Sequence, residues 1–153
     1  MIIGLIFFSF SLNYAQSNVD SGITASLNQL NFKYDIKEDG TFQFTIPVGS
    51  RSQMIFIHST TSSYDKMNIR EIYSVIYQSP QMPDEVVLRK LLVDNAQKKL
   101  GAWEVIFEDN TSFIVFTAKV PANLDASDLK STVEIVATSA DTMEQILYNT
   151  DEW

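Results

Sequence analysis

Between Leu88 and Leu129 the chain changes periodicity twice, from helical to strand and back, and this restricts its folds more than any other feature. A helical pattern ends with Leu91-Leu92-Val93-Asp94-Asn95 and stops at Gly101, after which Ala102-Trp103-Glu104-Val105-Ile106-Phe107 reads as a strand. Glu108-Asp109-Asn110-Thr111 is a turn, Ser112 to Pro121 a second strand, and a further helix opens near Asp125. A helix, a hairpin and a helix in series imply helices packed on an antiparallel sheet. The N-terminal half reads as further strands for that hairpin.

Taken in order, Gly22 to Asn31 places Ile23, Leu27 and Leu30 at helical spacing. Phe32, Tyr34 and Ile36 alternate with polar neighbours, as do Phe42, Phe44 and Ile46 beyond Glu38-Asp39-Gly40, which predicts a hairpin. Gln53 to His58 is a third strand, Ser59 to Asn68 a loop, and Ile69 to Gln78 a fourth strand. Pro83, Asp84 and Glu85 suit a helix's first turn, with Leu88, Leu91, Leu92 and Ala96 on one face. Lys98 and Lys99 would then fall in its last turn, with Gly101 just past its end. In the last helix Asp125 is the natural N-cap and Leu124 can staple onto Leu129. Its apolar face runs through Leu129, Val133, Val136, Ala140, Met143 and Leu147. The expectation is one α+β domain over 22–150, in the order α-β-β-β-β-α-β-β-α.

The charge balance, 11 Lys plus Arg against 19 Asp plus Glu for a net −8, argues against nucleic acid and anionic membrane surfaces. The absence of cysteine excludes thiolate metal sites, disulfides and a lipid-anchored bacterial lipoprotein. His58 is the only histidine and follows an apolar run at a strand end, where a hydrogen-bonded or solvated ring is the ordinary outcome. The carboxylate groups Asp35/Glu38/Asp39 and Glu108/Asp109 sit in or beside turns, and Asp35 to Gly40 lacks calcium-loop spacing. Asn110-Thr111-Ser112 matches a glycosylation acceptor, but at a hairpin tip where Asn is expected anyway. The sequence therefore predicts no enzyme, no metal site and no cofactor.

Ile2 to Leu12 is an uncharged apolar run too short to span a bilayer as a helix. It suits the hydrophobic region of a signal peptide cleaved after Ala15, with no Lys or Arg ahead of it; the alternative is a buried N-terminal strand. The first reading removes residues 1–15, leaves no membrane span in the mature chain and places the protein in the periplasm or outside the cell.

Some strands are apolar at both parities: Met54-Ile55-Phe56-Ile57, Phe113-Ile114-Val115-Phe116, and Ile72 to Tyr77. With helices on one face only, one set would remain on the other. Ile55, Ile57, Tyr73, Tyr77, Ile114 and Phe116 are accordingly the expected partner-binding residues. A second copy, a partner or a returning helix would cover them, and a homodimer is favoured. On this expectation a charge at Ile114 or Phe116, whichever faces outward, breaks the dimer and leaves the fold intact.

The opening segment also resembles a known family. Leu91-Leu92 with Asn95, Gly101-Ala102-Trp103-Glu104, and Phe116-x-Ala118-x-Val120-Pro121-Ala122 followed by Leu124 and Leu129 are similar to the YbjN-type domain. Tyr34 through Asp39-Gly40-Thr41-Phe42 resembles its first hairpin. The family is described as bacterial sensory transduction regulators, with a fold related to type III secretion chaperones. The likeness spans about Leu27 to Leu147 and implies fold rather than catalytic residues. With the apparent export signal it suggests an exported, non-enzymatic, chaperone-like or regulatory domain that binds protein or peptide. The other reading is a small-ligand sensor using the open face of the sheet.

Overall fold

A computed structural model describes residues 19–153; the expected signal peptide lies outside them. The elements run α1 (Ser21–Gln29), β1 (Asp35–Ile36), β2 (Phe42–Val48), β3 (Arg51–Ile57), β4 (Ser62–Tyr64), β5 (Met67–Ser79), α2 (Glu85–Asn95), β6 (Ala102–Glu108), β7 (Thr111–Pro121) and α3 (Ala126–Leu147). All strand pairs are antiparallel, in one sheet of order β1-β2-β3-β5-β7-β6 with β4 paired to β5. The architecture is α+β. Its order follows the expected one except for β4, a short fold-back of polar residues inside the expected loop. A strand of Ser62-Ser63-Tyr64, exposed throughout, carries no apolar alternation to announce it.

Each helix begins at an aspartate whose carboxylate accepts a backbone N–H of the first turn. Asp20 bonds Ile23, Asp84 bonds Val87 and Asp125 bonds Asp128. α3 lies across β5, β3, β7 and β2. Its Leu129, Val133, Val136, Ala140 and Met143 bury against Phe42, Phe44, Ile55, Ile57, Ile72, Ile114 and Phe116. Full burial of each such Leu, Val, Met, Ile or Phe side chain contributes about 1.5–3 kcal/mol, so this one helix face accounts for much of the core.

The partner-binding expectation is corrected here. Ile55, Ile57, Ile114 and Phe116 are each 0% exposed, beneath α1 and α3, so the chain covers that face itself. The reason is register. Phe42 stands opposite Ile57 and Phe44 opposite Ile55, so the clean alternation of β2 dictates which side of β3 faces inward. Between Val75 and Tyr77 the β5–β7 register slips by one residue. Tyr77 therefore turns to the helix side and stacks on Tyr148, while Tyr73 stays on the other. The β3–β5 ladder stops beyond Tyr73, its paired residues being Phe56–Tyr73 and Ile57–Ile72. The Gln53 amide bridges the gap, donating to Ser74 Oγ at 2.8 Å, and Ser74 Oγ donates to the Met54 carbonyl at 2.7 Å.

α2 also differs from expectation. It ends at Asn95, before Lys98, and only Leu91 is buried, while Leu92 is exposed. Lying beside β6 at the rim of the sheet, it has a narrow stripe to bury. Gly101 does not cap it. At φ +80° the glycine leads into β6, and a Cβ there would stand 2.8 Å from the Phe116 ring.

Candidate functional site

Register defines the face opposite the helices. β3 turns Met54 and Phe56 to it, with His58 following, and β5 turns Glu71, Tyr73 and Val75. β7 adds Phe113, Val115, Thr117 and Lys119, and β6 adds Ala102, Glu104, Ile106 and Glu108. No helix crosses this face among the described residues. Across its middle runs a shallow trough of about 420 Å³, floored by Phe56, Tyr73, Val75, Phe113 and Val115. Asp39, Glu71, Glu104 and Glu108 line its sides.

Cross-strand neighbours order the aromatic floor. Phe56 stacks on Tyr73 with ring centres 5.1 Å apart and planes 14° from parallel, and His58 tilts against Tyr73 at 5.0 Å. Burial, aided by the charges of Asp39, Glu71 and Glu108, pushes the Tyr73 phenol up to about 12, so it stays protonated at neutral pH.

At one end of the trough Asp39, Thr41 and His58 form a chain. The Asp39 carboxylate accepts the Thr41 N–H at 2.9 Å and the Thr41 hydroxyl at 3.0 Å. Chiefly through that N–H bond, its pKa lies below the ordinary 3.8. Thr41 Oγ1 is also 2.9 Å from His58 Nδ1. The hydroxyl has one proton, and with Asp39 ionised that proton points at the carboxylate. His58 Nδ1–H must then be the donor, and a neutral ring keeps Nε2 as an acceptor. On the far side of Glu71 from His58, Lys119 bonds Glu104 at 2.6 Å and lies 3.8 Å from Glu71, and the Glu104 bond raises the lysine pKa. One lysine faces four carboxylates, so the trough is acidic as well as aromatic.

Of the six residues expected to bind a partner, only Tyr73 lies here. Ile55, Ile57, Ile114 and Phe116 are core, and Tyr77 packs under Tyr148. Phe113, Val115, Glu71 and Glu104 were not singled out from the sequence, and Phe56, a possible stacking aromatic there, read rather as core. The signal available was β2: counting inward positions from Phe42 and Phe44 across the turn would have put Phe56 outside. Among the described residues no group of three or more His, Asp or Glu side chains is arranged to hold a metal ion. Nor is any helix there long and apolar enough to cross a membrane. Known protein families and curated proteins provide no match to this chain.

Proposed function

We propose that the helix-free face of the sheet receives a positively charged, amphipathic stretch of polypeptide, and that the protein is an exported, non-enzymatic binding domain of the YbjN type. One observation carries this reading: a half-buried aromatic floor, Phe56 on Tyr73, set among Asp39, Glu71, Glu104 and Glu108. Aromatic faces and carboxylates together favour apolar side chains interspersed with Lys or Arg. A second copy of the chain is the poorer occupant, because two-fold pairing of this face would oppose acidic rims. The non-enzymatic part rests on Thr41, the hydroxyl bonded to His58, which is 3% exposed and already donates to Asp39. Export rests on the apolar run before Ala15. The residues behind the family likeness have structural tasks, since Asn95 bonds the backbone of Trp103 and Gly101 gives way to Phe116.

A second reading has its own support: the same stack beside carboxylates suits a small organic cation. Native mass spectrometry of the full chain purified from its source host separates the two. A co-purifying polypeptide rich in Lys and Arg, lost on Tyr73→Ala with Glu71→Lys, is expected. A carried small cation would favour the sensor, and protein that carries neither counts against both.

A further inference from the structure

Among the described residues β6 is the last strand of the sheet and pairs only with β7. Glu108 and Thr111 face each other across Asp109-Asn110, two residues both in the left-handed region at φ 48° and 61°. A two-residue turn of that kind makes Glu108 and Thr111 a hydrogen-bonded pair. Counting back by twos, Ile106, Glu104 and Ala102 direct their backbone groups to β7, and Phe107, Val105 and Trp103 direct theirs outward. Trp103 confirms the parity, because its N–H donates to Asn95 Oδ1 at 2.7 Å while Asn95 Nδ2 approaches its carbonyl at 3.4 Å. One side-chain amide thus occupies the first outward position as a neighbouring strand would.

The next two positions have no such cover. Among the described residues the outward N–H and C=O groups of Val105 and Phe107 have no hydrogen-bond partner. Sheets usually protect an edge with Lys, Pro, a bulge or brevity. β1 at the opposite edge is two residues long, whereas β6 has seven residues, none of them Lys or Pro, and leaves Ile106 and Phe107 exposed. On the trough side this edge presents Glu104, Ile106 and Glu108, an apolar residue between two carboxylates. Two-fold pairing of β6 with a second copy through Val105 and Phe107 would set each Glu104 directly opposite a Glu108, which like charges disfavour. A strand of opposite charge has no such conflict.

We propose that the outer edge of β6 at Val105–Phe107 is a strand-addition site. It takes an extended basic segment, antiparallel, with Lys or Arg opposite Glu104 and Glu108 and a β-branched residue opposite Ile106. This deepens the peptide-binding reading above and rests on it. Backbone hydrogen bonds supply the attachment, and the alternate side chains supply the selectivity.

The test uses the full chain at low salt and a capped, fluorescein-labelled peptide centred on Lys-Thr-Val-Thr-Lys, read by anisotropy. In the proposed register the two threonines face Val105 and Phe107, so N-methylating both removes the bonding donors while keeping charge and side chains. Binding should weaken roughly tenfold or more on N-methylation and vanish for Glu-Thr-Val-Thr-Glu. Phe107→Pro, which removes an outward N–H and no β7 bond, should weaken binding of the parent peptide similarly. Hydrogen exchange at Val105 and Phe107 should slow when the parent peptide binds. The N-methylated peptide decides the matter even if the proline variant does not fold. Parent binding unchanged by N-methylation, with no slowing at Val105 and Phe107, overturns the edge site while leaving the acidic face as a basic-peptide surface. Failure of the parent peptide to bind also overturns the edge site, and the broader reading then stands or falls on the co-purifying polypeptide.

Discussion

Asn95 stands where the sheet's next strand would begin, its carboxamide accepting the Trp103 N–H at 2.7 Å. The same end of α2 also holds the indole, whose Nε1–H donates to Asp94 Oδ2 at 2.6 Å, while Lys98 pairs with Asp94 at 3.0 Å. Helix end and strand start are thus joined through one tryptophan. Asn95→Ala should cost about 1–2 kcal/mol, because it leaves the Trp103 N–H without a partner. Urea unfolding measures it. It should also open a third outward position on β6, read as faster hydrogen exchange at the Trp103 amide.

Gly101→Ala should be among the more damaging single-methyl changes in the chain. The backbone at φ +80° disfavours any L side chain, and the new Cβ would meet the Phe116 ring at 2.8 and 2.9 Å and the Thr117 carbonyl oxygen at 2.9 Å. Phe116 is 0% exposed, so it has little room to retreat. A loss of about 2–4 kcal/mol is expected in denaturant unfolding.

Phe116→Asp and Phe113→Asp, three residues apart on β7, should behave oppositely. The first buries a carboxylate under α3 and should leave no folded chain, whatever the oligomeric state. The second puts its charge on the helix-free face and should keep the fold at a cost of about 1–2 kcal/mol. Far-UV circular dichroism distinguishes them; a folded Phe116→Asp monomer would contradict the core described above.

Stability should fall at both extremes of pH. Burial pushes the Asp20 carboxyl up, but the Ile23 N–H and the Arg70 guanidinium outweigh it and hold the pKa below the ordinary 3.8. Asp39 is held down chiefly by the Thr41 N–H. Carboxyls with lowered folded pKa values stabilise fully above the unfolded value and lose that contribution as pH falls through and below 3.8. Asp39→Asn should therefore flatten the acid slope of stability. Tyr73 and Tyr148, raised from 10.0 to about 12 chiefly by burial, act in the reverse sense. They stabilise fully below 10.0, and the contribution is lost as pH climbs towards 12. Tyr73→Phe should remove part of that alkaline loss, followed by tyrosinate absorbance against unfolding.

What the sequence determined by itself is whatever local periodicity and short-range hydrogen bonds decide. α3 was legible from Asp125 and its apolar stripe, and the hairpin of β6 and β7 from two apolar runs across Asp109-Asn110, because those interactions lie within a few residues. The side of the sheet to which Met54–Ile57 and Phe113–Phe116 turn was not legible, since a run apolar at both parities fits either face equally well. Only pairing decides it: Phe42 opposite Ile57 and Phe44 opposite Ile55 draw one parity under α3 and leave Phe56 outside. The slip at Val75/Tyr77, which separates Tyr73 from Tyr77, arises in the same way from contacts with a strand some forty residues away. The candidate face therefore belongs to the tertiary structure. Its aromatics and carboxylates come from four strands and the turn before β2, and no local pattern announces a surface that exists only once the strands are in register.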